Sequence, residues 1–307
     1  GTARKIADIP GCWTFLQLES HPNKIIGGTY TGLILLKKEN GKWKFFGKIK
    51  AFNETSREMV ADKNNSLWIS HGYKGVYNIS LNNNLDSVVS SNLYNSSNGF
   101  KSDYGINVFK LRDEIVFISP NGFFKFDKNK KLFSHYSYFE ELFHGKTIKK
   151  LCEDQQDDIW YFTEGNSGVM RIQEDGSYLD ISLPFRQLVG SFIGGFQFVY
   201  TLNERNTFFG TENGFVHYDQ LFQKSYDKKF KVFINQAYLS QPDSIICYER
   251  RIEDSTVQTI LEYDQNNLGF KFSANDFENV EMTKYSTFLK GYDDNWSNWD
   301  IRYTKEY

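Results

Sequence analysis

The chain has 307 residues, of which 40% are hydrophobic and 17% aromatic, with 28 Phe and 19 Tyr against only 5 Pro. That bias favours strands, whose pleated faces suit aromatic and β-branched side chains, and the length suits one large β domain with a smaller partner. The formal net charge of -2, from 36 basic and 38 acidic residues, gives no field that would draw the chain onto nucleic acid or an anionic membrane, and no apolar run is long enough for a spanning helix.

Taken in chain order, the opening GTARKIADIPGCW starts close to a strand without a secretion-signal pattern, and the closing IRYTKEY stops inside a strand-like pattern. Both ends read as cuts, so the sequence is expected to be a piece of something longer. Between them, five segments share one shape: an apolar strand, a polar turn holding Gly, and a second apolar strand. They are KIIGGTYTGLILL, SLWISHGYKGVYNI, EIVFISPNGFFKF, DIWYFTEGNSGVMRI and NTFFGTENGFVHY. The glycines that open the second strands, Gly32, Gly75, Gly122, Gly168 and Gly214, are separated by 43, 47, 46 and 46 residues. Each is expected to supply the positive φ of a tight hairpin.

An apolar run precedes each hairpin (WTFLQLE, REMVADKNN, INVFKL, IKKLCEDQQDD, FQFVYTLNE), and a more polar, aromatic-dotted one such as KWKFFGKI or KLFSHYSY follows. Four strands per repeat of about 45 residues is the content of a propeller blade. Helical solenoids need a 3.6-residue periodicity that is missing here, and a generic sandwich would not space its hairpins so evenly. Residues 1–222 are therefore predicted to form about five four-stranded blades of a partial β-propeller in an all-β chain.

The glycine spacing stops after Asp219. A Lys-rich stretch leads into VFINQAYLS, TVQTILEYDQNNLGFKFSANDF and KYSTFLKGYDDNWSNWDIRYTKEY, where apolar and polar residues alternate and Asp and Asn mark a turn. Residues 223–307 are predicted to be a second domain, a truncated Ig-like β-sandwich.

Few residues suggest chemistry. Cys12, Cys152 and Cys247 are far apart and odd in number, so neither a disulfide framework nor a metal cluster is expected, and the first two should be buried in apolar strands. His21, His71, His135, His144 and His217 have no ligand-type spacing, and no nucleophile elbow or phosphate-binding glycine loop is present. The acidic pairs Glu153–Asp154, Asp157–Asp158 and Asp293–Asp294 fit turns better than a glycosidase dyad. No catalytic residue, metal or cofactor is assigned.

In a blade whose strands run from the inside outward, the turn between the second and third strands and the link to the next blade emerge on one propeller face. That face gathers Tyr30, His71, Tyr73, Asn121, Glu164, Asn166, Glu212 and Asn213, the candidate ligand-binding residues. Aromatic and hydrogen-bonding groups of this kind suit a sugar or other polar ligand better than an anion.

An acidic turn, an Ile/Leu-Trp-Ile strand and then Gly-(Leu/Val/Phe), clearest in VADKNNSLWISHGYKGVYNI and CEDQQDDIWYFTEGNSGVMRI, resemble the two-component regulator propeller repeat over roughly residues 12 to 220. The end of the chain resembles the triple-tyrosine domain that follows such propellers. Its matching positions are Phe272 to Phe277, Tyr285, Leu289, Gly291, Tyr292, Asp293, Trp296, Tyr303 and Thr304, with the tyrosines expected to pack the sandwich. The resemblance implies a periplasmic sensor fragment of a bacterial transmembrane signalling or transcriptional regulator. Its complete form would be homodimeric, would meet the membrane through segments outside this sequence, and would end in a histidine kinase or a helix-turn-helix. An oligosaccharide or other polar small ligand is the expected partner, and no nucleic acid. A propeller enzyme acting on polysaccharides and a protein-binding scaffold are the competing readings.

Overall fold

The computed structural model describes residues 4–222, 224–226, 229–240, 244–250 (backbone), 260–277, 280 and 283–307. Two compact units, Gly1–Gln223 and Lys224–Tyr307, make up the chain.

In the first unit every sheet is antiparallel and follows sequence order. The first blade holds β1 (Cys12–Leu16), β2 (Lys24–Thr29), β3 (Gly32–Glu39) and β4 (Lys42–Lys48). The second holds β5 (Glu58–Ala61), β6 (Ser66–His71), β7 (Gly75–Leu81) and β8 (Val88–Tyr94). In the third are β9 (Asn107–Leu111), β10 (Glu114–Ser119), β11 (Gly122–Asp127) and β12 (Leu132–His135), followed by the short helix α1 (Ser137–Leu142). The fourth comprises β13 (Lys150–Glu153), β14 (Ile159–Phe162), β15 (Ser167–Ile172) and β16 (Tyr178–Ile181). The fifth departs from expectation. It has three strands among the described residues, β17 (Phe198–Asn203), β18 (Asn206–Thr211) and β19 (Gly214–Tyr218), because the polar stretch after Tyr218 supplies no fourth apolar run.

The inner strands β1, β5, β9 and β13 lie against one another in turn. Apolar layers between consecutive blades fix that order. Ile26, Leu33 and Leu35 of the first blade meet Leu67, Ile69 and Ile79 of the second. Trp68 and Val76 meet Phe117, Phe124 and Phe133; Val116 and Ile118 meet Leu151, Ile159 and Tyr161, with Phe139 and Phe143 of the α1 region wedged in; Trp160, Phe162 and Val169 meet Val199 and Phe209. Aromatic pairs such as Trp68–Phe117, 4.9 Å apart and edge-on, explain the aromatic richness of the composition.

Two local devices repeat. Trp160 donates its indole N–H to Asp154 Oδ2 at 2.8 Å, and Trp68 donates to Asp62 Oδ2 at 3.3 Å, so the acidic turn residue satisfies a tryptophan six positions on. The strand-opening glycines have φ of 112° at Gly32, 109° at Gly75, 116° at Gly122 and 118° at Gly214. Gly168 is the exception: it is not among the positive-φ glycines, and a Cβ there would lie 2.4 Å from the Tyr161 hydroxyl, so close packing is what requires it.

The second unit is one antiparallel sheet in the order β21-β20-β22-β23, built from β20 (Val232–Leu239), β21 (Ser244–Arg250), β22 (Leu268–Ala274) and β23 (Thr304–Glu306). Of the expected sandwich, this single sheet is what the described residues contain. Within TVQTILEYDQNN, residues 256–259 lie outside the described residues, and 260–267 form no strand. Tyr285 packs its ring 5.0 Å from Phe272 and accepts the Ala274 backbone N–H at 3.1 Å. Tyr292 and Tyr303, expected to pack, are 71% and 64% exposed because no second layer covers that side among the described residues. No helix among the described residues is long and apolar enough to cross a membrane.

Candidate functional site

Inner strands bring their first residues to the same end of the blades as the turns after β2, β6, β10, β14 and β18. A cleft of about 400 Å³ opens there, lined by Arg57 and Glu58 of the second blade, Asn107 and Ser119 of the third, Lys150 and Thr163 of the fourth, and Gly195 and Gln197 leading into the fifth. A second hollow of about 400 Å³ shares Arg57, Glu58, Lys150 and Gln197 and continues between Trp13, Phe15, Phe196 and Phe198. All five blades, or their links, therefore contribute side chains to one central depression.

Charge in it is arranged unevenly. Lys150 Nζ and Glu58 Oε1 are 2.9 Å apart, an ion pair that joins β13 to β5 across the third blade, with side chains 22% and 19% exposed. Arg57 lies with its guanidinium carbon 5.3 Å from the centre of the Trp13 ring. It approaches the backbone so closely that a Cβ on Gly195 would meet Nη2 at 2.1 Å. Trp13 is stacked on Phe196 at 4.9 Å and 8° and meets the edge of Tyr30 at 4.7 Å. Its indole nitrogen is buried with no hydrogen-bond partner among the described residues.

The eight candidate residues do sit on or beside these turns, but few reach the depression. Glu164 lines the cleft, and Tyr30 touches it through Trp13. Tyr73 is 75% exposed and faces Tyr104, 6.2 Å away. Asn121 gives its backbone N–H to Ser119 Oγ at 3.1 Å, Asn166 gives its own to Thr163 Oγ1 at 3.0 Å, and Glu212 gives its own to Ser191 O at 3.0 Å. Asn213 occupies the exposed turn before β19 and lines neither hollow.

His71 is buried, and its Nδ1 accepts the Tyr73 N–H at 3.1 Å while Nε2 lies 3.5 Å from Glu54 Oε2. Burial pushes its pKa below the ordinary histidine value against the pull of Glu54, and hydrogen bonds from Lys74 at 2.8 and 3.1 Å hold the Glu54 carboxyl below the usual carboxylate range. His71, Ser119 and Thr163 thus close turns from the end of a second strand, the local use that short polar side chains have there.

The residues that do form the depression, Trp13, Arg57, Glu58, Lys150 and Phe196, escape sequence reasoning. Each precedes or begins an inner strand, where the repeat pattern is weakest. The acidic pairs act as braces. Asp158, 4% exposed, accepts Arg171 Nε at 3.2 Å and the Ile172 N–H at 2.9 Å, while Glu153 accepts the Arg112 N–H at 2.8 and 2.9 Å. Cys12 is exposed rather than buried because it starts the edge strand β1, and Cys152 is partly buried. No group of three or more His, Cys, Asp or Glu among the described residues is placed to hold a metal ion.

No protein-family model matches the chain, and no curated protein matches it by sequence. Among solved structures, the extracellular domain of a hybrid two-component system from B. thetaiotaomicron aligns with 96% of this chain and 40% of its own, at 17% identity and a TM-score of 0.52. The extracellular domain of a one-component system from the same organism aligns with 96% of this chain and 46% of its own, at 18% identity and a TM-score of 0.43. A streptogramin B lyase aligns with 87% and 94%, at 13% identity and a TM-score of 0.40. The chain spans less than half the length of the two sensor domains it matches. The first likeness is one of fold: it places the chain's blades in the same propeller architecture as that extracellular domain.

Proposed function

We propose that the chain is the ligand-sensing portion of an extracytoplasmic receptor in a bacterial signalling or transcriptional regulator, with the ligand seated in the central depression. One observation carries this reading: two hollows that share Arg57, Glu58, Lys150 and Gln197 together draw side chains from all five blades or their links. An occupant would touch several blades together, so its binding energy can favour one blade arrangement over another, which is the thermodynamic requirement of a signal. Glu58 is held in an ion pair by Lys150 at 2.9 Å, an arrangement that favours binding over hydrolysis. In the complete protein the change would pass through the second unit toward the membrane and a cytoplasmic output, and a homodimer would be the responding assembly.

Calorimetric titration of the purified chain with polar oligosaccharides tests this. Saturable binding without product formation is expected, weakened about tenfold by Trp13→Ala, since removing a stacking aromatic typically costs at least 1 kcal/mol. Conversion of the oligosaccharide, or binding indifferent to Trp13 and Lys150 substitutions, would refute it.

A further inference from the structure

We infer that the ligand of this cleft bears a single carboxylate and that Arg57 is the residue that receives it; this rests on the sensing reading above. The reasoning starts from charge matching. Lys150 is matched to Glu58 at 2.9 Å, Lys74 to Glu54 at 2.8 Å, Lys146 to Asp180 at 2.7 Å and Arg171 to Asp158 at 3.2 Å. Arg57, partly buried in the wall of both hollows, has no carboxylate partner among the described residues. A guanidinium is a permanent cation, and a partly desolvated one gains from a counter-charge.

Position strengthens the case. The Trp13 ring 5.3 Å from the guanidinium carbon and the bare Cα of Gly195 flank the fork and narrow the positions open to it before any ligand arrives. Fixing it beforehand lowers the entropy lost on binding, and the planar fork matches a carboxylate through two parallel hydrogen bonds. Beside it, the stacked rings of Trp13 and Phe196 offer an apolar surface for the C–H face of a sugar ring.

The charges around the cleft set a limit as well. Arg57, Lys149 and Lys150 face Glu58 and Glu164, which leaves one positive charge in excess. That balance fits a monoanion; the two carboxylates would repel a phosphate or a cluster of sulfates. A uronic-acid sugar meets each condition. The turn residues alone favour a neutral ligand because Glu164 and Glu212 are acidic, while the unmatched cation lies one residue before the inner strand β5.

The test is titration of the whole chain with glucuronate- and galacturonate-containing oligosaccharides and with the same oligosaccharides carboxyl-reduced to neutral alcohols, on the native protein and on Arg57→Gln. The acidic forms should bind the native chain about tenfold or more tightly than the reduced ones, and Arg57→Gln should erase that preference by weakening the acidic forms about tenfold more than the reduced ones. Raising salt should weaken the acidic forms alone, a measurement that needs no variant if Arg57→Gln fails to fold. Equal binding of acidic and reduced forms, or a preference that survives in Arg57→Gln, would overturn the inference and leave the sensing reading standing. Failure of every acidic and neutral oligosaccharide to bind the native chain would overturn both.

Discussion

Replacing Asp154 with Ala tests whether the acidic turn residue exists to satisfy the buried tryptophan. Trp160 is 1% exposed, and Asp154 Oδ2 accepts its N–H at 2.8 Å. Without Asp154 that donor stays dry and unpaired, a cost of about 1–3 kcal/mol, with the upper half favoured because the acceptor is charged. Asp154 Oδ1 also accepts the N–H groups of Gln156 and Asp158, at 3.0 and 3.2 Å, and their loss adds a smaller amount because water reaches the turn. Asp154→Ala should therefore cost about 2–4 kcal/mol, measured by urea unfolding followed by far-UV circular dichroism. The second blade is an internal control: the Trp68–Asp62 bond is longer, at 3.3 Å, so Asp62→Ala should cost less. A double-mutant cycle isolates the contact. In a Trp160→Phe background, where no N–H remains, Asp154→Ala should lose about 2 kcal/mol of its effect. An unchanged cost in that background would show that Asp154 acts on the turn alone and would sink the argument.

Other substitutions probe other links. Gly75→Ala forces φ of 109° on an L-residue and places a Cβ 2.1 Å from Tyr94 O, whereas Gly41, with φ of 77°, has nothing within 4 Å; the first should cost at least twice the roughly 1 kcal/mol expected of Gly41→Ala by thermal unfolding. Because the folded-state pKa of His71 lies below its unfolded value, the unfolded chain binds more protons in that window. Stability should fall as pH drops from about 6.5 through the lowered pKa. Glu54, depressed by Lys74, adds a further loss below about 4.5. His71→Ser keeps a turn-closing acceptor, as Ser119 does, and should flatten the upper window; a urea midpoint that still drops there would exclude His71 as the cause. Burial pushes the Cys152 thiol up to about 11. In a Cys12→Ser, Cys247→Ser background, a maleimide at pH 8 should label Cys152 only once urea unfolds the chain, and rapid labelling of the folded protein would contradict that burial.

Blade structure was legible because it is written in short-range pattern. The hairpins from Lys24 to Leu36 and from Asn206 to Tyr218 alternate apolar residues around a Gly whose φ is positive in the fold, so strand, turn and strand follow from neighbours in sequence. Gly168 shows the limit of that logic. It occupies the repeat position but answers to the Tyr161 ring on the neighbouring strand, and a Gly symbol does not tell a torsional need from a steric one. The three-stranded fifth blade has a related cause: an outer strand carries little apolar signal, since half of what defines it is what it packs against.

The site was legible only as a face. Propeller geometry places the turns of Tyr30, Tyr73 and Glu164 at the end where the cleft opens, but side chains at turn tips point outward, and of the eight candidates only Glu164 lines the cleft. Depth belongs to residues at the start of each inner strand: Trp13, Arg57 and Lys150 come from three blades, separated by 44 and 93 positions. No spacing rule joins them, because their meeting depends on blades stacking around a centre and not on anything local. Their register within the repeat is nonetheless shared. Arg57 lies one residue before β5, Lys150 opens β13, and Trp13 is the second residue of β1. Under the proposed reading, the position to read for ligand chemistry in this chain is the inner-strand start of each repeat, and the informative residue there is Arg57, whose charge no carboxylate among the described residues neutralises.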